Sequence, residues 1–167
     1  MLPEESKREK KPRNAERPFP WRCHQCRQAT IVPTRIDYPA KVNYDGRIVS
    51  FVAKGIEIPI CQNCGDKRFT LEVDDQINAA LCAHLGLLTP EQIRAEIGRL
   101  GLSQKQVAER LGIAEATLSR WVNKQVIQSR AMDNYLRVFF QFPEVRTALA
   151  AVSVDVAAAN VAMPDAV

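Results

Sequence analysis

Two Cys-x-x-Cys pairs, Cys23-His24-Gln25-Cys26 and Cys61-Gln62-Asn63-Cys64, carry four of the five cysteines of this 167-residue chain. A two-residue spacer lets one tight turn aim both sulfurs at a single point, and four thiolates satisfy a tetrahedral metal. Cys23, Cys26, Cys61 and Cys64 are therefore expected to hold one structural Zn2+ per chain. Iron fits the same four sulfurs, so a four-cysteine redox or electron-transfer protein with a helical interaction domain is the competing assignment. A thiol oxidoreductase would place a single reactive pair in a βαβ setting, and the doubling of the pair argues against it. A catalytic zinc keeps one position open, which four cysteines close, so no enzyme activity is expected. His24 reads as a knuckle spacer, and Cys82 and His84 as packing or surface residues of a helix.

A second group of residues suited to chemistry lies between Leu102 and Trp121. Ser103 can cap a first helix, Ala108 is small where two helices must approach, and Gly112 can take the positive φ of a tight turn. Val107, Leu111, Ile113, Leu118 and Trp121 then form a shared core, the pattern of a helix-turn-helix. This packing leaves Glu115, Ala116, Thr117, Ser119, Arg120, Asn123 and Lys124 facing outward, toward the major groove of double-stranded DNA. Arg120 is the base-reading candidate, because a guanidinium can bond both O6 and N7 of guanine. Thr117 and Ser119 can touch phosphates, base edges or a thymine methyl, and Gln104 at the head of the first helix is placed near a phosphate.

The elements that must position these groups follow from periodicity. Lys41 to Tyr44 and Arg47 to Val52 read as strands around an Asp45-Gly46 hairpin turn. Lys54-Gly55 suggests a second turn, after which alternating Ile56, Ile58 and Ile60 deliver the second knuckle on a strand. Asp74 or Asp75 is expected to cap a helix ending at Gly86, and Thr89-Pro90 to open another over Glu91 to Leu100. Arg130 to Gln141 carries Met132, Tyr135, Leu136, Phe139 and Phe140, more apolar surface than one buried stripe needs; it completes the helical core, and part of it suits a homodimer. The fold class expected is α+β, a small β-rich metal module followed by an all-α helix-turn-helix domain. The boundaries expected are a charged tail without order at 1–20, the metal module at 21–70, a helical connector at 71–88, the DNA-binding domain at 89–149, and an Ala/Val-rich tail at 150–167 that frays after a further turn or two of helix.

The order of these motifs, Cys23, Cys26, Cys61, Cys64 and Gly65, then Leu102-Ser103-Gln104 through Leu118-Ser119-Arg120-Trp121, resembles the YgiT/MqsA family of type II antitoxins and their stand-alone relatives. The resemblance covers about Trp21 to Leu149. It implies a structural zinc, an XRE-type (lambda-repressor-like) C-terminal domain that dimerises on promoter DNA, and an N-terminal domain able to bind a ribonuclease toxin. Arg120 matches a family DNA-contact residue, whereas the family's asparagine contact four residues earlier is Ala116 here, which implies a different operator. Arg27 follows the first pair where glycine is common, which implies a less regular knuckle. The 22 residues before Cys23 and the Ala/Val tail also depart from many relatives and are consistent with a regulator lacking a toxin.

A formal charge of +4 and a pI near 8.9 are compatible with nucleic-acid binding without establishing it. The first 20 residues mix Lys and Arg with Glu4, Glu5, Glu9 and Glu16, a solubilising extension more than a basic arm for the minor groove. They lack the apolar segment of a secretory signal, and Asp155, Asn160 and Pro164 interrupt the weakly polar tail, so a cytoplasmic chain without a membrane span is expected.

Overall fold

β-branched and aromatic residues recur from Ala29 to Cys61, and they build two long antiparallel strands rather than several short ones. The computed structural model describes residues 18–159; residues 1–17 of the expected charged tail and 160–167 of the Ala/Val tail lie outside them. Strand β1 (Trp21–Arg22) pairs with β2 (Ala29–Tyr44), which pairs with β3 (Arg47–Cys61), all antiparallel. The tip of the long hairpin is the expected Asp45-Gly46 turn, with Tyr44 opposite Arg47.

The second hairpin expected at Lys54-Gly55 is replaced by a bulge. β3 runs through these residues, the register shifts between Ile36 and Tyr38, and the Gly55 N–H donates to the Asp37 carboxylate at 2.8 Å. Bulges and turns draw on the same residue types, so local chemistry does not separate them. The early half of β2 was not legible as a strand because Pro33 and Pro39 interrupt it. Proline is tolerated there because only two-residue β1 flanks the other side of β2.

Helix α1 (Leu71–Leu85) begins at N-cap Thr70, not at Asp74 or Asp75, and ends at Gly86 as expected. Asp74 falls inside the first turn, where its charge favours the helix dipole. Where a connector was expected, α1 covers one face of the sheet. Val73 and Leu81 bury against Ala40, Phe51, Ala53, Ile56 and Ile58, and the His84 ring stacks on Phe51 at 5.5 Å.

The remaining helices are α2 (Pro90–Arg99), α3 (Gln104–Leu111), α4 (Glu115–Val122), α5 (Arg130–Gln141) and α6 (Pro143–Ala159). Thr89 and Ser103 each close a reciprocal capping box with the glutamine three residues on. Ile93, Ile97, Val107, Ala108, Leu111, Leu118, Trp121, Val122, Leu136, Phe139 and Phe140 form one buried cluster. Arg99 and Arg146 donate to the main-chain carbonyls of Phe139 and Phe140, satisfying the last turn of α5. α6 continues to Ala159, farther than the turn or two expected past Leu149, as the high helix propensity of alanine favours. Among the described residues no helix is long and apolar enough to cross a membrane.

The sheet and the helical cluster meet around a buried carboxylate. Asp133 on α5 is fully buried and accepts from the Leu88 N–H (2.7 Å), Gln128 Nε2 (3.0 Å) and Arg137 Nε (2.7 Å). Burial alone would raise its pKa, but the hydrogen bonds from Arg137, Leu88 and Gln128 outweigh it and hold the carboxyl below the usual range. Arg137 also donates to the Gly86 carbonyl and Arg130 to that of Leu85, so α5 grips the end of α1.

Candidate metal centre and nucleic-acid interface

The four sulfurs predicted to converge do so. Cys23, Cys26, Cys61 and Cys64 place their Sγ atoms within 4.8 Å of one another, with Cys23 to Cys64 at 3.6 Å and Cys26 to Cys61 at 3.5 Å. Tetrahedral bonds of about 2.3 Å to a thiolate-bound metal separate the sulfurs by about 3.8 Å, so the tetrad matches a four-sulfur shell. Strand pairing creates this closeness: Ile31, following the first knuckle, lies directly opposite Cys61. Ile31, Cys23 and Cys61 are buried together, with Trp21 packed against them.

Both knuckles fold alike. The Cys23 N–H donates to the Gln28 carbonyl at 2.8 Å and the Cys61 N–H to that of Asp66 at 2.9 Å. The irregularity expected at Arg27 is absent, because Arg27 takes φ +61°, the left-handed conformation that Gly65 takes at +74° in the second knuckle. The Arg22 guanidinium donates to the Arg27 carbonyl at 2.9 Å and ties down that strained residue.

The thiols are electrostatically unequal. A hydrogen bond from the Thr30 hydroxyl, 3.1 Å from Cys61 Sγ, is the main cause lowering the Cys61 pKa to about 6, with the Cys64 and Asn63 backbone N–H groups assisting. The Gln28 backbone N–H lowers Cys26. The Asp66 backbone N–H also favours the Cys64 thiolate, but desolvation and the three neighbouring sulfurs outweigh it and push Cys64 up to about 12. Four crowded thiolates repel one another unless a cation sits among them. The donor set therefore fits a metal ion, with all four sulfurs as ligands and Thr30 orienting one of them. Thr30 was missed in the sequence because only strand register brings it to Cys61.

In the helical half, α3 and α4 pack through Val107, Ala108, Leu111, Leu118 and Trp121, and Gly112 makes the turn at φ +67°. Glu115, Ala116, Arg120, Asn123 and Lys124 are exposed, while Thr117, Ser119 and Gln104 are half-buried. Asn123 Nδ2 donates to Ser119 Oγ at 3.1 Å. Lys124, just past the helix at φ +61°, turns its ammonium to Glu91 at 2.8 Å, which ties it to the first turn of α2. The Arg120 side chain is exposed, with no hydrogen-bond or ion-pair partner among the described residues. Its carbonyl accepts from the N–H groups of Gln125 (2.9 Å) and Val126 (3.4 Å), which close the end of α4. Gln104 is the first residue of α3, directly after the Ser103 cap.

Compared with known proteins, residues 93–132, spanning α2 to the start of α5, match the helix-turn-helix family. No curated protein matches the chain. The protein thus joins a sheet bearing a metal-competent four-cysteine cluster to a helical region containing a helix-turn-helix segment.

Proposed function

We propose that this protein is a sequence-specific transcriptional regulator, a repressor that binds double-stranded DNA as a homodimer, with one structural zinc in its N-terminal module. The observation that carries the reading is the exposed Arg120 guanidinium on α4, without a partner among the described residues and within the segment matched to helix-turn-helix proteins. A cation held there by a packed helix pair is ready to bond O6 and N7 of a guanine. Glu115, Ala116, Thr117, Ser119 and Asn123 line the same helix, with Gln104 near a phosphate and Lys124 at the rim. Zinc suits a cluster whose role is to fasten the fold, since it stabilises a closed four-thiolate site without redox chemistry. Such a closed shell favours a non-enzymatic role, in the cytoplasm where the operator lies.

A homodimer is supported by α5, whose Val138 side chain is exposed together with Phe142 just beyond it, apolar surface that paired half-sites would bring to a two-fold axis. The resemblance to antitoxins extends the reading to a ribonuclease toxin partner, for which exposed Ile48 and Val52 on β3 offer an apolar surface. Co-purification with the product of an adjacent toxin-like reading frame would support that extension, and its failure would leave a lone regulator.

The test of DNA binding starts with duplexes enriched from a random pool by the full-length protein. Arg120→Ala is expected to weaken the selected duplex by on the order of 1–3 kcal/mol while the circular dichroism spectrum is unchanged. Equal affinity would remove Arg120 from the interface, and enrichment of no sequence would overturn the reading.

A further inference from the structure

The metal knuckles close one end of the β2–β3 hairpin, and its tip reaches the helix-turn-helix. The knuckle end is marked by Ile31 opposite Cys61 and the tip by Tyr44 opposite Arg47. At a rise of about 3.4 Å per residue these ends are roughly 40 Å apart. At the tip, the Tyr44 hydroxyl donates to the Gln128 carbonyl at 3.0 Å, and the Asp45 carboxylate accepts from the Arg130 N–H at 3.3 Å. Arg130 is the first residue of α5, so Asp45 sits where the helix dipole favours an anion. The two bonds land where the link from α4 enters α5.

That segment leads back to the candidate DNA-reading residue. Gln128 is buried, and its amide donates to the Leu88 carbonyl at 2.7 Å and to Asp133 at 3.0 Å. Ile127 packs into the apolar cluster under the sheet, not into that of the helical domain. Immediately before it, the N–H groups of Gln125 and Val126 donate to the Arg120 carbonyl. Beside the two bonds from the hairpin tip, an open cleft of about 310 Å³, lined by Val42, Tyr44, Asn78, Leu81, Val126 and Ile127 among others, lies between the tip and the 125–129 segment. Gln128, Asp133 and Arg130 fix the segment to residues 85–88, and Tyr44 and Asp45 add the hydrogen bonds that come from the hairpin tip.

We propose that Tyr44 and Asp45 are positioning residues for the DNA-binding helix pair, holding the 125–130 segment and through it the end of α4, so that the state of the distant four-cysteine centre sets operator affinity. This rests on the DNA-binding reading given above. The hairpin is a strut, backed along one face by α1, with the thiolate cluster at one end and two hydrogen bonds to residues 128 and 130 at the other. Loosening either end removes the hairpin's hold on the same segment, so the two perturbations are thermodynamically coupled.

The test uses the full chain, metal-loaded or treated with a chelator, and the duplex enriched by the wild type. The variants are Tyr44→Phe, which keeps the ring, and Tyr44→Phe/Asp45→Gly, in which glycine accepts the left-handed φ of +54° at that position. Metal content should be unchanged in both, since no thiolate is touched. Chelation is expected to weaken wild-type binding about tenfold, whereas the double variant starts about fivefold weaker and loses less than about twofold more. Backbone amides of residues 125–130 should exchange faster in the double variant and in chelated wild type, a readout independent of DNA. If the double variant binds like the wild type, or chelation weakens both by the same factor, the positioning role is overturned. If no duplex is enriched, the DNA-binding reading fails, and protected 125–130 amides after chelation would separately overturn the strut.

Discussion

Thr30 and Asp133 show how single side chains set the behaviour of the two halves. Thr30 donates to the sulfur whose pKa it lowers most, so Thr30→Val should reduce metal affinity about tenfold with the four ligands retained, as read by competition with a chromophoric chelator. Cys61→Ser should abolish stoichiometric metal altogether; a full equivalent in that variant would discard the four-thiolate centre. Asp133 supports stability through a depressed pKa. A carboxyl held below its unfolded value of 3.8 contributes fully above that pH and loses its contribution as pH falls from about 4 toward the folded value, because the unfolded chain takes up the proton first. Asp133→Ala should cost about 3 kcal/mol in urea unfolding at neutral pH, since it leaves the buried Leu88 N–H without an acceptor and removes one of the two acceptors of the Gln128 amide. The variant should also lack the part of the acid destabilisation that Asp133 supplies; an identical pH profile would show that other carboxylates govern it.

Among the elements, the turn between α3 and α4 is the most demanding. Gly112 sits at φ +67°, and a Cβ there would meet nothing within 4 Å, so the cost of Gly112→Ala is backbone strain alone. That strain is about 1–2 kcal/mol, visible as a lower melting temperature without loss of the helical spectrum. A larger loss would mean that the turn also governs helix packing. The paired capping boxes at Thr89 and Ser103, and Gly112 itself, could be anticipated from local residue types because each satisfies backbone groups within a few positions. The start of α1 could not. Thr70 makes no side-chain cap, and burial of Val73 and Leu81 on the sheet accompanies a start that competing Asp74 and Asp75 did not mark.

For the whole molecule, exposed Val138 on α5 and Phe142 just past it predict assembly. Val138→Asp combined with Phe142→Asp should convert a dimer to a monomer by sedimentation while the buried Phe139 and Phe140 keep the fold. A wild-type protein that sediments as a monomer even on DNA would remove this interface. The exposed faces of the hairpin are a separate matter, because α1 already buries its inner face and Ile48 and Val52 lie outside that packing.

Spacing made each Cys-x-x-Cys knuckle and the helix-turn-helix legible, since a two-residue knuckle and a capped, glycine-turned helix pair are each specified by residues close in the chain, while β2–β3 pairing joins the two knuckles into one site. Arg120 was readable for the same reason: a 3.6-residue period separates its outward face from Leu118 and Trp121. Only the tertiary structure decided that Thr30 reaches Cys61, that Arg27 accepts the conformation of a glycine, that Lys54-Gly55 makes a bulge, and that Tyr44 meets Gln128. Three of these depend on strand register and on the docking of the hairpin tip, which are chosen by the burial of many side chains together. Arg27 depends on a knuckle closed by backbone hydrogen bonds and on the Arg22 guanidinium at its carbonyl, a combination that its residue type does not announce.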